Sequence, residues 1–275
     1  MDPSETTAAF DRHERERWAG RADAYVRSFA RLCAHPAARV LDAADVHDGT
    51  ALVDVGTGPG TLAALAVARG ARVTALDADP AMIASARRAV PAVDGYVGAL
   101  PDLPLRTSTF GAAAANFVLN HVGDPSAATR ELARVVAPGG RIAVTIWPYP
   151  QPPLQRLWGE AYAASGLAAP ADLPRLDPAR DFPRTADGLG ALLTGAGLTR
   201  VEVQTVTWTH RVDPDEWWAG PAAGITTFGL LLERLRGDEV ARVRAAYDRV
   251  AAPYLSGGML ALPTAALLGS GVRPG

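Results

Sequence analysis

The stretch Leu52-Val53-Asp54-Val55-Gly56-Thr57-Gly58-Pro59-Gly60-Thr61-Leu62-Ala63 decides the reading of this chain. A short apolar run meets three glycines in five positions, and a helical pattern follows directly. Leu52 to Val55 reads as a buried strand, and Thr61 to Arg69 as a helix that Gly70 ends. Glycines at such a junction let backbone N–H groups and the helix N-terminus come close to a ligand. Outward from the loop the alternation repeats. Arg72 to Leu76 is the next strand, and Asp79-Pro80 caps and opens a helix to about Ala89. A strand near Gly95-Tyr96-Val97, a proline-broken loop and a fourth strand from Phe110 to Val118 come next. Asp124-Pro125 repeats the capping device for a helix to Val136. The Pro138-Gly139-Gly140 turn ends that helix, and Arg141 to Trp147 is a fifth strand. Strands alternating with helices predict an α/β fold around a parallel sheet.

Two ligand classes use a glycine loop of this kind: dinucleotides, whose pyrophosphate sits on the helix N-terminus, and nucleoside cofactors without phosphate. The third glycine of the dinucleotide pattern is Thr61 here, and Pro59 removes a donor N–H from the loop. Both details disfavour pyrophosphate. Asp77 ends the second strand, 21 positions after Gly56, where a carboxylate can accept hydrogen bonds from both ribose hydroxyls. Asp79 is better placed as the helix cap, which leaves Asp77 for a ligand.

From Ala51 to Trp147 the chain resembles the class I S-adenosylmethionine-dependent methyltransferases, in particular the small-molecule branch similar to the ubiquinone-biosynthesis enzymes. The resemblance rests on four segments: the Val53 to Gly60 loop, the acid Asp77, the stretch Asn116-Phe117-Val118-Leu119-Asn120-His121-Val122, and Leu132 to Arg141 before the fifth strand. It implies a Rossmann-like, doubly wound, seven-stranded sheet, mostly parallel with an antiparallel last strand. It also implies S-adenosyl-L-methionine as cofactor. Gly56, Gly58 and Gly60, with Thr57, would then line the methionine part, and Asp54 would orient the loop or the amino group. Asp77 would hold the ribose, and Ala78 and Met82 would flank the adenine. Ala99 and Leu100 match the adenine-edge segment, although the family's common aspartate is Ala99 here. Asn116 opens the third of those segments, and Tyr25 resembles a family tyrosine at the cofactor's methionine end.

Composition narrows the chemistry. The 275 residues hold 27 Lys+Arg against 29 Asp+Glu, all 27 being arginine. Without a primary amine on any side chain, Schiff-base chemistry and a lysine base are excluded. A net charge of −2 gives no footprint for nucleic acid. Cys33 is the one cysteine, and no spacing reads as a metal site. Met1 to Arg17 does not read as a signal peptide, and no apolar run is long enough to span a bilayer, so a cytoplasmic monomer or homodimer is expected.

The expected organisation is a single methyltransferase domain. Residues 1–35 would form a helical lid, with Thr6 to Ala34 amphipathic. Residues 36–147 would hold the cofactor, and 148–275 would shape the acceptor pocket. Pro148 to Pro183 reads as one short helix near Leu154 to Ala164 and then an irregular loop. Arg200 to Thr209 and Met259 to Leu267 read as strands, with a helical section from the Asp213-Pro214 cap to about Ala252.

Methyl transfer from a sulfonium needs an acceptor atom held in line, and a hydroxyl acceptor also needs its proton removed. His121 is the leading base, because ligands bind outside the carboxyl ends of parallel strands. His13 and Tyr25 could also reach the site, whereas His35 and His47 show no partner and His210 could lie on the surface. Trp147, Tyr149, Trp158, Trp208, Trp217, Trp218 and Phe228 could line an aromatic pocket. Trp217 and Trp218 cannot both point inward on one helix face. The reading is transfer of a methyl group to an O, N or C atom of a small molecule. Two others stay open: an NAD(P)-dependent oxidoreductase, or a methyltransferase-fold protein that cyclises or only binds a metabolite.

Overall fold

The computed structural model describes residues 3–168 and 176–275. In chain order the elements are α1 (Pro3–Trp18), α2 (Ala22–Arg27), α3 (Ala30–Ala34), α4 (Ala37–Ala43), β1 (Ala51–Val55), α5 (Thr61–Ala68), β2 (Arg72–Asp77), α6 (Pro80–Ala89), β3 (Asp94–Val97) and β4 (Phe110–Asn116). They continue with α7 (Pro125–Val135), β5 (Val136–Ile146), α8 (Pro153–Ala164), α9 (Ala186–Gly195), β6 (Thr199–Val212), α10 (Pro214–Ala222), α11 (Thr226–Glu233), α12 (Gly237–Ala251), β7 (Leu255–Ser256) and β8 (Met259–Val272).

One sheet runs β3-β2-β1-β4-β5-β8-β6, with the two-residue β7 paired to β8. The first five strands in that order are parallel, and β8 lies antiparallel between β5 and β6. This is the mostly parallel sheet with an antiparallel last strand that the sequence suggests. Parallel strands covered on both faces read as continuous apolar runs. β4 is an extreme case: Ala112 to Ala115 are all buried, so this stretch of the strand carries only methyl groups. On one face, Leu132 and Val135 of α7 and Leu189 and Leu193 of α9 complete a core. On the other, Val40 and Leu41 of α4 and Leu62, Ala63 and Ala66 of α5 complete a second. A third core, rich in aromatic rings, joins α8, α10, α11 and α12 to the start of β8.

Several expectations need correction. The amphipathic stretch from Thr6 to Ala34 is three helices, broken near Gly20, whose φ is +74°. The strand expected to reach Val118 stops at Asn116, and Phe117 is left-handed at φ +61°. Pro138-Gly139-Gly140 does not end the helix. It lies inside β5 as a bulge, where the register moves from Phe110 opposite Val136 to Ala112 opposite Arg141. α4 and α9 were not anticipated, and β6 and β8 run longer than expected. Of the proline-rich 148–183 segment, Pro153 to Ala164 is the expected helix, while 169–175 lies outside the described residues.

Candidate active site

The carboxyl ends of β1 to β5 open into a cavity of about 770 Å³. A mouth at that edge is where ligands bind in open parallel sheets, and the volume suits a ligand of cofactor size or larger. Its floor comes from the strand ends: Val55, Gly56 and Gly58 after β1, Asp77 to Asp79 after β2, Gly98 to Leu100 after β3, and Asn116 to Val118 after β4. α1 to α3 close one side with Glu14, Arg17, Trp18, Tyr25, Phe29 and Cys33. α8 and α11 close the other with Leu154, Trp158, Tyr162 and Phe228.

The glycine loop is built by its contacts. Gly56 sits at φ +68°, and a Cβ there would stand 2.3 Å from Val118 Cγ2, so no other residue fits without moving the post-β4 loop. Gly58 donates its N–H to Asp77 Oδ2 at 2.9 Å, while Asp77 Oδ1 accepts from the Asp79 N–H at 3.0 Å. Asp77 therefore ties the loop to the next helix while facing the cavity. Burial raises its carboxyl pKa against those two N–H bonds. Asp79 caps α6 by accepting from the Ala81 N–H at 2.8 Å, and its Oδ2 is buried without a partner among the described residues. A cavity wall holding a half-used carboxylate and an orphaned carboxylate oxygen fits a ligand with hydroxyl or amino donors.

Of the residues named from sequence, Tyr25, Gly56, Gly58, Asp77, Ala78, Met82, Ala99, Leu100, Asn116 and His121 all line this cavity. Asp54, Thr57 and Gly60 do not. Asp54 is 1% exposed and accepts from Thr57 Oγ1 at 2.7 Å, so the pair braces the loop from behind. Gly60, at φ +88°, caps α5 and packs on Ala86 of α6. The loop's third glycine thus serves helix packing and does not line the cavity. Asn116 bridges two elements, donating to the Cys33 carbonyl at 2.9 Å and accepting from Thr145 Oγ1 at 2.6 Å. Burial, together with the neighbouring Cys33 and Asp77, pushes the Tyr25 hydroxyl well above its ordinary range, so it is a hydrogen-bond donor at neutral pH and not a base.

His121 has the partner that the sequence did not show. Its Nδ1 lies 2.8 Å from Glu14 Oε2, and its ring stands edge-on to Trp18 at 5.5 Å. Glu14 Oε1 accepts in turn from Arg17 Nη1 at 2.9 Å. Burial pushes the Glu14 carboxyl up, but the His121 hydrogen bond and the nearby positive groups outweigh it and hold the pKa below normal. A carboxylate on Nδ1 fixes the tautomer that leaves Nε2 free to accept a proton. Glu14, Arg17 and Trp18 escaped the sequence reading because they sit about a hundred residues from His121 on a helix of mixed charge.

The other sequence candidates disperse. His13 does not line the cavity. His35 stacks on Trp208 at 4.6 Å, and His47 Nδ1 contacts the Asp48 carbonyl. His210 is not a surface residue: it is 5% exposed against Trp217, and burial, with Arg31 and His35 nearby, lowers its pKa to about 4. Trp147, Trp158 and Phe228 line the cavity, whereas Tyr149, Trp208, Trp217 and Trp218 do not. Trp217 and Trp218 are both buried, because α10 is packed on two sides. Trp217 meets Phe29 and Trp158, and Trp218 meets Tyr247 and Phe228. Among the described residues no cluster could hold a metal ion, and no helix is long and apolar enough to cross a membrane.

Comparison with known proteins agrees with this geometry. The family model described as a methyltransferase domain matches residues 53–144. A demethylmenaquinone methyltransferase of Paenarthrobacter aurescens is 30% identical over 191 residues, covering 64% of this chain and 75% of that protein. A trans-aconitate 2-methyltransferase of Methylobacterium nodulans is 31% identical over 252 residues, covering 86% and 91%. The chain spans 32% of another relative, an uncharacterized transposon protein of Streptomyces fradiae. In fold it is similar to phosphoethanolamine N-methyltransferase 2 of Haemonchus contortus, solved with S-adenosyl-L-methionine. The TM-score is 0.53 at 13% identity, covering 87% of this chain and 52% of that one. With the glycine loop, the strand-end acid and the sheet order in place, the chain belongs to the class I S-adenosylmethionine-dependent methyltransferases.

Proposed function

We propose that this enzyme methylates a small organic acceptor bound beside His121, with Glu14 orienting the imidazole as general base. The observation that carries the reading is the Glu14–His121 contact, which lies on the wall of the same cavity as Asp77 and the glycine loop. Asp77, the Gly58 segment, Met82 and the Gly98 to Leu100 edge would hold the cofactor's nucleoside, and Tyr25 would donate to its amino-acid end. When bound, S-adenosyl-L-methionine supplies a methyl group already activated on a sulfonium. The chain's own residues then have to place the acceptor atom in line and exclude water. An acceptor hydroxyl would give its proton to His121 Nε2 as it takes the methyl group, the C–S bond of the sulfonium breaking to leave a neutral thioether, and Glu14 would stabilise the resulting imidazolium through Nδ1–H. α1 to α3 would serve as the lid.

Phe29, Phe117, Trp147, Trp158 and Phe228 give the cavity an aromatic lobe. Such a wall suits a planar or apolar acceptor body. The relatives are named for demethylmenaquinone and trans-aconitate, both small molecules.

Calorimetry should show S-adenosyl-L-methionine binding, and labelled cofactor should pass its methyl group to members of a metabolite pool sorted by chemical class. His121→Ala should lower turnover by about 100- to 10,000-fold while cofactor affinity holds, the range for loss of a positioned base. Unchanged turnover would remove His121 from catalysis, and absence of cofactor binding would end the reading as a whole.

A further inference from the structure

Arg17 is only 8% exposed, yet its guanidinium is half used. Among the described residues both of its hydrogen bonds leave from Nη1, to Glu14 Oε1 at 2.9 Å and to Thr227 Oγ1 at 3.4 Å. Nε is buried with no partner among the described residues. The fork formed by Nε and Nη2 is the edge with which arginine binds a carboxylate through two parallel N–H bonds. Leaving such a donor unsatisfied inside a protein is costly, so its persistence at a cavity wall points to a ligand that completes it. A second orphan lies on the same wall. Thr226 Oγ1 is buried without a partner, and Thr226 holds φ +69°, an uncommon backbone conformation for a β-branched residue.

We propose that the free edge of Arg17, with the hydroxyl of Thr226 one residue before its Thr227 partner, is the subsite for a carboxylate on the acceptor, so that the preferred acceptors are small organic acids with an apolar or aromatic body. The proposal rests on the methyltransferase reading and names the substrate class of that site. A carboxylate could come from two sources here, the acceptor or the amino-acid tail of the cofactor. The position of Arg17 favours the acceptor. It bonds to the start of α11, whose Phe228 stacks on Trp158 in the aromatic lobe, while Tyr25 is the side chain that stands over Gly58 at the loop end. Glu14 does not repel the incoming anion unopposed, because Arg17 Nη1 and His121 already engage its two oxygens. Arg17 would therefore lie between two carboxylates, one on each edge. Burial lowers the guanidinium's pKa, an effect that a second anion would offset.

The test uses the full chain loaded with S-adenosyl-L-homocysteine and a matched pair of probes, 3-phenylpropanoate and its primary amide. Binding is followed by quenching of tryptophan fluorescence. The acid should bind about 10- to 100-fold more tightly than the amide, the fold equivalent of one charge-assisted hydrogen-bonded contact. Arg17→Met should erase that ratio, and Arg17→Lys should retain only part of it, since an ammonium cannot form the fork. Equal binding of acid and amide to the wild-type protein, or no binding of either at millimolar concentration, overturns the proposal. It is likewise overturned if Arg17→Lys weakens S-adenosyl-L-homocysteine about tenfold and leaves the acid-to-amide ratio intact, which would give the fork to the cofactor tail. The wild-type comparison stands even if Arg17→Met does not fold. Failure of the protein to load with cofactor is a separate result that counts against the methyltransferase reading.

Discussion

Gly56 and Asp54 stand two positions apart in one motif and do opposite jobs. Gly56 holds φ +68° at the cavity floor, where an added Cβ would run into the Val118 side chain, so Gly56→Ala should cost about 1–3 kcal/mol in backbone strain and also displace that side chain of the post-β4 loop. Thermal melting should fall by several degrees and S-adenosyl-L-homocysteine affinity should fall with it. A variant that melts lower but binds normally would separate the loop from the site. Asp54 faces the protein interior, where burial raises its carboxyl pKa to about 7 despite the Thr57 hydrogen bond, and the Asp77 charge adds to the rise. In the unfolded chain the same group titrates near 3.9. Between those values the native state holds a proton that the unfolded state has released. The stabilising contribution is therefore full below about pH 4 and is lost as pH rises through 7. Asp54→Asn, which cannot ionise, should flatten the fall in melting temperature between about pH 4 and 7, and an unchanged slope would refute the assignment. Asp77 was legible in the sequence because an acid at a fixed offset from a glycine loop has a ligand-side meaning. The inward turn of Asp54 was not, since a strand residue shows its face only once both sheet faces are covered.

The attachment of α1 shows what local pattern leaves out. Its sequence marks a charged helix, but three of its anchors sit on the loop after β4, more than a hundred residues away. Asp11 Oδ1 accepts the Gly123 N–H at 2.6 Å, Glu14 meets His121, and the Trp18 ring meets the same imidazole. Asp11→Ala should loosen this latch without touching the sheet. Trypsin should then cut faster after Arg15 or Arg21 and turnover should drop, while the melting temperature stays near that of the parent. Unaltered cleavage and turnover would show that the remaining contacts suffice. α9 was missed for a related reason. Gly188, Gly190 and Gly195 lower its intrinsic helicity, and it forms because Leu189, Leu192 and Leu193 find a buried face on the sheet. α4, at seven residues, is too short for a periodic signal. β6 and β8 exceed their apparent lengths because they pair with each other from Thr199–Val272 to Val212–Leu260, and a long partner extends a strand past its alternating core. Within β1 to β5, by contrast, strand, loop and cap signals agree except at the end of β4 and at the Pro138–Gly140 bulge, and the order of elements in the parallel half of the sheet was readable from residue types alone.

Elements from every part of the chain meet at one cavity: α1 to α3, the ends of β1 to β5, α8 and α11. The three cores lie around that space and do not fill it, so cofactor binding should couple to the stability of the whole fold and not only to the glycine loop. A ligand that binds the native state alone adds RT ln(1 + [L]/Kd), about 2.7 kcal/mol at a hundredfold excess over Kd. For a chain of this size that corresponds to a rise of roughly 5–10 °C in melting temperature. S-adenosyl-L-homocysteine should produce this shift in the wild-type protein and in His121→Ala, whose imidazole is assigned to the acceptor. Asp77→Ala removes the cavity-lining carboxylate proposed to hold the nucleoside and also frees the Gly58 and Asp79 N–H groups. Its ligand-free melting temperature should therefore fall, and, more tellingly, the ligand-induced rise should disappear at the same concentration. A full shift in Asp77→Ala would mean that the strand-end acid only braces the loop, and the nucleoside would have to be sought elsewhere along the wall, with the orphaned oxygen of Asp79 the next group to test.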